Sequence, residues 1–196
     1  MKKIAVAGLL TAMMGVASAQ VYVGGVIGQS NVNLSCEDYN LGCDKSDTGT
    51  KFYVGYKLNP IVALEAAYVD FGKGTRGFTG SYYDGFVISS VDVKETVEAR
   101  GALLAAAFRY AAHPQLSLVG RLGLAVLKTR ATMSAPAIDY RYSESDDSVK
   151  PYFGLGLEFA LNKNLRITAD ADFTNAELNG DSGSVRLLGV GLQYAF

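Results

Sequence analysis

Histidine is almost absent from this sequence of 196 residues, and His113 is its single copy. It stands next to Pro114 in a stretch that separates two apolar segments, which predicts a turn. A Ser-His-acid site needs a histidine beside its nucleophile, and the long polar connections that could form an active site contain none. The carboxylates of Asp146 and Asp147 lie in a run of Ser and Glu, which is typical of a solvated loop. We therefore expect no enzyme and no catalytic residue.

Long apolar runs are missing after the N-terminus, so residues 20–196 contain no candidate membrane helix. Yet 49% of the residues are hydrophobic, which fits strands that are apolar on one face. At the start, Lys2 and Lys3 precede an apolar run at 4–10 and small residues that end at Ala19. This pattern predicts a secretory signal peptide at 1–19, cleaved before Gln20, and a single domain at 20–196. A retained anchor is the alternative, but the run is short for a membrane span.

A basic patch is also lacking. The chain carries 18 Lys+Arg and 19 Asp+Glu, and loss of the two signal-peptide lysines leaves 16 against 19, a net charge of −3. We expect no nucleic-acid partner.

Cysteine is scarce, with two copies at Cys36 and Cys43. They lie close together in a polar stretch, and in an exported protein such a pair can form a lasting disulfide. A bridge is the favoured interpretation, and two free thiols are the alternative. Metal ligation is a remote third interpretation, because no histidine lies nearby. We expect no cofactor and no metal site.

The C-terminal segment, residues 184–196, alternates with a period of two, which predicts a strand. A soluble sheet usually carries charge on its exposed face, but neither face of this segment is charged near its end. That favours a barrel wall with lipid outside and a tight interior. The outer face would carry Leu188, Val190, Leu192, Tyr194 and Phe196, and the inner face Gly189, Gly191, Gln193 and Ala195.

The rest of the chain repeats this pattern, with strands predicted at 21–31, 51–58, 61–71, 93–110, 116–130, 149–161 and 165–175. Short turns at 59–60, 112–115 and 162–164 alternate with long connections at 32–49, 72–90, 131–148 and 176–183. The alanine-rich part of 93–110 is also compatible with a helix, but its place between strands favours a strand. The predicted fold is all-β, an eight-stranded antiparallel up-and-down transmembrane barrel.

Two motifs carry a resemblance to a known family. The strand ending in Phe196 resembles the C-terminal strand of bacterial outer-membrane β-barrels, and Lys150-Pro151-Tyr152 before Gly154 and Gly156 resembles a motif of the small members. The chain is similar to the small eight-stranded outer-membrane β-barrel family, which includes the outer membrane protein A transmembrane domain and the opacity and Ail-type surface proteins. The resemblance implies a bacterial outer-membrane location. It also implies that Tyr194 and Phe196 are read by the barrel-assembly machinery. The sequence departs from the larger relatives at its end, since it stops at Phe196, and we therefore expect it to lack their periplasmic peptidoglycan-binding domain.

Strand alternation places a set of charged side chains inside the barrel. An Arg or Lys on the lipid face near mid-membrane would cost about 2 to 4 kcal/mol, so these charges should pair in the interior. A salt-bridge plug is favoured over a gated ion path, because an eight-stranded barrel is just wide enough for its side chains. The predicted lumenal residues are Lys57, Glu65, Arg109, Arg121, Glu158, Asp170 and Asp172.

The same alternation places four basic residues on the outer wall near its extracellular edge: Arg100, Lys128, Arg130 and Arg186. Lipopolysaccharide phosphates are the expected partners, since Arg and Lys offer matched donors and charge. The alternatives are that these side chains reach water, or that Arg100 pairs with Glu98.

The long connections are predicted to form the exposed surface. They are acidic overall and carry aromatic residues of the kind favoured in recognition, namely Tyr39, Phe78, Tyr82, Tyr83, Phe86, Tyr140 and Tyr142. We expect a structural and surface-interaction protein, for which the resemblance implies adhesion or contact with a host surface ligand. The alternative is a small-solute porin or an ion channel.

Overall fold

The chain forms a closed β-barrel, which the computed structural model describes for residues 20–33, 36, 40–83, 85, 88–178 and 181–196. Its strands are β1 (Val21–Val32), β2 (Cys43–Asp44), β3 (Ser46–Lys57), β4 (Val62–Tyr83), β5 (Ile88–His113), β6 (Leu116–Ala135), β7 (Tyr140–Ala160), β8 (Leu165–Leu178) and β9 (Asp181–Ala195). The predicted signal peptide, 1–19, and two of the predicted loop aromatics, Tyr39 and Phe86, lie outside the described residues.

Neighbouring strands pair antiparallel around a ring in the order β1, β3, β4, β5, β6, β7, β8, β9. Pairing of β1 with β9, from Tyr22 opposite Ala195 to Val32 opposite Val185, closes the ring. The short β2 pairs with β4 outside the ring. The predicted eight-stranded up-and-down barrel is therefore confirmed. Within the described ranges, no helix is long and apolar enough to cross a bilayer.

Side chains alternate along each strand between the interior of the barrel and its outer surface. On β6, Arg121 and Ala125 are buried inside, whereas Leu122 and Leu124 are exposed on the outside. In the antiparallel register, each outward residue stands opposite an outward residue of the neighbouring strand. The outward residues, which are every second residue of each strand, therefore form a continuous apolar belt. On β7 the belt from Val149 to Phe159 spans about 25 Å at about 3.3 Å per residue and a tilt of about 40°. That height matches the apolar band of outer-membrane barrels.

The connections predicted at 72–90 and 131–148 are mostly strand, and this part of the prediction is wrong. Pairing of β4 with β5 continues to Tyr83 opposite Ile88, and pairing of β6 with β7 continues to Ala135 opposite Tyr140. Above the apolar belt, the outer face becomes polar and the inner face is mixed, with Val97, Ala131 and Ala135 still buried. This weakens the alternation of hydrophobicity while the hydrogen-bonded ladder persists. The two hairpins therefore extend the sheet beyond the membrane.

A bulge in β4 marks the point where this extension begins. The register with β5 shifts between Asp70 and Lys73, and Gly72 has φ +68°, a left-handed conformation that favours glycine. The extra residue reverses the alternation of β4, so Arg76 faces the same side as Glu95 and binds it through Nε–Oε2, at 2.8 Å. A strict period of two read from the membrane part of β4 therefore fails beyond Asp70.

The first extracellular loop is held at two points. Cys36 and Cys43 form a disulfide with Cα atoms 6.0 Å apart, which confirms the predicted bridge. Next to it, β2 pairs with Arg76 and Thr75 of β4, and the amide of Leu41 donates to the carbonyl of Gly77 at 3.1 Å. The loop is therefore fixed against the edge of the extended β4–β5 hairpin.

Candidate functional site

The barrel interior contains a buried ion-pair network centred on Arg121 of β6. Its Nε donates to Glu65 Oε2 of β4 at 2.6 Å, and its Nη1 donates to Asp170 Oδ1 of β8 at 2.7 Å. On β3, Lys51 Nζ lies 2.6 Å from Asp172 Oδ2 and 3.8 Å from Asp170 Oδ2. Side chains from four strands therefore meet across the lumen, which is narrow enough for one guanidinium to bridge it.

Three tyrosines complete this cluster. The hydroxyl of Tyr22 donates to Glu65 Oε1 at 2.7 Å, Tyr152 donates to Asp172, and Tyr53 donates to Gln193 Oε1 at 3.2 Å. The Tyr53 ring also lies 5.6 Å from the Arg121 guanidinium carbon. The hydroxyls of Tyr22 and Tyr152 add neutral hydrogen bonds to the carboxylates, which offsets part of the cost of burying these charges.

A second group lies toward the ends of the strands that lead into short turns. Arg109 of β5 binds Glu158 of β7 through two bonds, Nε–Oε2 at 3.0 Å and Nη2–Oε1 at 2.7 Å. Arg166 of β8 donates to the same carboxylate, Nη1–Oε2 at 2.6 Å. Lys57 and Arg109 both approach the Tyr22 ring, at 5.8 and 5.3 Å from its centroid. This group links to the Arg121 cluster through Tyr22.

Glycines on β7 make room for the network. A Cβ atom at Gly156 would lie 2.6 Å from Asp170 Oδ1 and 2.8 Å from Arg121 Nη1, and one at Gly154 would lie 2.7 Å from the Tyr152 hydroxyl. Any side chain at these positions would displace the ion pairs, so their role is steric.

An apolar layer lies above the ion pairs on the extracellular side. Val69 and Phe71 of β4, Leu127 of β6, and Val185 and Leu187 of β9 are almost fully buried in one cluster. They come from three strands of the ring, so the buried cluster extends across the interior.

The structure brings together six of the seven predicted lumenal residues in salt bridges. The seventh, Lys57, faces inward but has no salt bridge among the described residues, and its contact is with the Tyr22 ring. Sequence reasoning missed Lys51, Arg166 and the tyrosines. Lys51 lies on the same side of the strand alternation as Tyr53 and Lys57, so the sequence could have predicted that it faces the interior. Tyr22 was less accessible, because the glycine pair that follows it blurs the facing of β1.

The predicted rim residues are exposed on the outer wall, directly above the apolar belt. Arg100 stands opposite Asp70 and Lys128, and Lys128 Nζ is 3.8 Å from Asp147 Oδ2. Arg130 stands opposite Glu98 of β5, and on the other side of β5 Glu98 stands opposite Lys73 of β4. Arg186 lies apart on β9, opposite Phe173 of β8. Arg100, Lys128 and Arg130 therefore form one patch together with nearby carboxylates. Arg186 lies apart from them.

Tyr194 and Phe196 lie at the end of the wall that carries the short turns. Both are exposed on the outer face, with ring centroids 5.3 Å apart, and the Phe196 amide donates to the Val21 carbonyl at 3.1 Å. Recognition by the barrel-assembly machinery stays a prediction.

Catalytic and metal groups are not assembled among the described residues. His113 ends β5 at a short turn, and no three His, Cys, Asp or Glu side chains in the described ranges are grouped as metal ligands. Asp147, one of the two adjacent loop carboxylates, has its Oδ2 atom 3.8 Å from Lys128 Nζ.

A closed eight-stranded sheet with an apolar outer belt and a charged interior defines a transmembrane β-barrel of the outer-membrane type, since closure leaves no unpaired edge in lipid. The OmpA-like transmembrane domain family matches residues 16–196. The chain belongs to this family, and its location is the bacterial outer membrane.

Curated relatives agree with this assignment. Outer membrane protein A of Serratia marcescens is 28% identical over 78% of this chain and 40% of its own length. The Klebsiella pneumoniae protein of the same name is 26% identical over 80% of this chain and 44% of its own length. The chain thus spans less than half the length of these relatives.

Solved structures share the fold. Neisserial surface protein A superposes with a TM-score of 0.57 at 13% identity, covering 90% of this chain and 97% of that one. Ail of Yersinia pestis, solved with the heparin analogue sucrose octasulfate, gives 0.54 at 21% identity, covering 89% and 98%. The expected family and fold are confirmed.

Proposed function

We propose that this protein is a non-catalytic, non-conducting outer-membrane barrel whose extracellular hairpins contact ligands at the cell surface. Two layers of side chains inside the barrel support the proposal. Arg121 bridges Glu65 and Asp170 across the interior, and the apolar layer around Phe71 and Leu127 lies above them. An ion crossing the barrel would have to break buried salt bridges and then cross a dry layer, and both steps are costly.

Planar-bilayer recording separates this function from the rival one, a small-solute porin or ion channel. The refolded wild-type protein should give no steady conductance above the protein-free bilayer. Alanine at Arg121 should produce only flickering current, because the apolar layer remains. A large and stable wild-type conductance would reject the plug and favour the pore.

Surface contact is supported by the extended β4–β5 and β6–β7 hairpins. They raise exposed Tyr82, Tyr83, Tyr140 and Tyr142 above the apolar belt, and tyrosine is favoured at recognition surfaces. The acidic balance of the loops argues against a polyanion like the one bound to Ail. Adhesion to a host surface stays a prediction. If it is correct, exchanging the tip of the β4–β5 hairpin for a short turn should reduce cell binding.

Lipopolysaccharide is the proposed lipid partner of the rim. Replacing Arg100, Lys128, Arg130 and Arg186 together with Gln should weaken lipopolysaccharide binding and flatten its dependence on salt, since exposed charges are screened. A titration at two salt concentrations measures both effects. Because Asp70, Glu98 and Asp147 offset the patch on β5 and β6, Arg186→Gln alone should account for a clear share of the loss. Unchanged affinity and salt dependence in the fourfold variant would dismiss the rim site.

A further inference from the structure

Charge is distributed unevenly along the lumen. The Arg121 cluster contains Lys51 and Arg121 against Glu65, Asp170 and Asp172. The group near the short turns contains three cations and a single carboxylate: Lys57, Arg109, Arg166 and Glu158. This end of the lumen therefore has an excess of positive charge, although it is largely enclosed by the wall.

We propose that this periplasmic vestibule, defined by Lys57, Arg109, Glu158 and Arg166, binds a small free anion bearing a phosphate or carboxylate group. Glu158 already engages Arg109 through two bonds and Arg166 through one. Since that carboxylate can balance one charge, the group keeps an excess of about two positive charges, beside an excess of one negative charge in the Arg121 cluster. A partly buried cation without a counter-ion is costly, and an anion offsets that cost.

Donors for the anion are in place. Arg166 uses Nη1 on Glu158, which leaves its other guanidinium nitrogens for a ligand, and a guanidinium fork matches the spacing of phosphate or carboxylate oxygens. Lys57 has no salt bridge among the described residues, and its ammonium lies 5.8 Å from the centre of the Tyr22 ring.

Two neutral polar groups border the same layer. Gln193 stands opposite Arg166, and Thr168 stands opposite Glu158. Both side chains are 1% exposed, and their Nε2 and Oγ1 atoms have no hydrogen-bond partner. Buried polar atoms normally have partners, so these atoms add two groups that a bound ligand can satisfy.

Access is from the periplasm. Lys57 ends β3 and Arg166 is near the start of β8, and short turns of outer-membrane barrels face the periplasm. Both side chains are partly exposed at the end of the barrel that carries the short turns, so a ligand would reach them from that end. Lipid headgroups lie outside the wall, which favours a free anion as the ligand.

Inorganic phosphate is the test probe, titrated by calorimetry against the refolded full chain in nanodiscs of zwitterionic lipid. Wild type should bind saturably. Lys57→Gln and Arg166→Gln should each weaken binding about tenfold, the usual effect of losing one charge-assisted contact. Lys57→Arg, which keeps the charge, should retain the wild-type affinity within about threefold. Heat-dependent gel migration checks that each variant is folded.

The matched control is Lys163→Gln, which removes a charge from an exposed turn at the same end of the barrel. It should leave binding unchanged. Absence of saturable binding by wild type, or an equal loss in the Lys163 variant, would overturn the proposal. Phosphate affinity should also be the same in nanodiscs containing an anionic lipid, and competition by that lipid would refute a free anion as the ligand. A conducting wild-type barrel would reject the plug without affecting this result.

Discussion

Replacing Arg121 with alanine should lower the free energy of unfolding by about 3 to 5 kcal/mol, the range for removing one partner from a buried ion pair. The Arg121 side chain is 1% exposed and binds two carboxylates, Glu65 at 2.6 Å and Asp170 at 2.7 Å. Among the described residues, alanine would leave Glu65 with its hydrogen bond from Tyr22 as its one remaining polar contact. Lys51 would then be shared between Asp172 at 2.6 Å and Asp170 at 3.8 Å, so one ammonium would face two carboxylates and compensate only part of the lost charge.

Urea titration of the protein in lipid vesicles measures this loss. Arg130→Ala is the matched control, because it removes the same side chain from the exposed face of the same strand, and it should change stability by less than about 0.5 kcal/mol. Adding Glu65→Gln to the Arg121 variant should recover part of the loss by removing an unpaired charge. A loss below about 1 kcal/mol for Arg121→Ala would contradict a structural role for the pair.

The second large effect is expected at the next residue along β6. Leu122→Arg should destabilise the barrel by about 2 to 4 kcal/mol, because Leu122 lies near the middle of the apolar belt and an arginine there would face lipid. The adjacent positions 121 and 122 thus accept arginine with opposite consequences. The cause is the side of the wall that each residue faces.

Leu116→Arg provides the depth control for this experiment. Leu116 begins β6 on the same face but at the periplasmic edge of the belt, where arginine reaches water and costs about 0 to 1 kcal/mol. Urea unfolding in vesicles should therefore separate the two variants. Equal losses at both positions would show that this face is not in the membrane.

The barrel itself was predictable because lipid imposes a simple rule. Every backbone group in the membrane must pair, and outward side chains must be apolar. The alternation of Leu122 and Leu124 with Arg121 and Gly123 therefore reports both the strand and its facing. The same rule predicted that Arg109 and Glu158 lie inside, where they pair at 2.7 Å.

The extracellular part was not predictable in this way. Water can solvate either face of a hairpin, so residues 72–90 and 131–148 lack the hydrophobic alternation that marks a strand. Their pairing depends on the strands below them, which deliver two chains side by side and extend the ladder. The parity change at Gly72 is a further feature that only the folded register reveals.

By itself, the sequence determined the number of membrane strands, the facing of all of them except β1, the closeness of Cys36 and Cys43 along the chain, and most of the charges that lipid excludes. Only the tertiary structure decided which charges meet. Ring closure brings Lys51 beside Asp172, 121 positions away along the chain, at 2.6 Å, and places Phe71, Leu127 and Leu187 above them. Strand tilt and stagger set these cross-lumen neighbours, and a period of two along one strand carries no information about stagger.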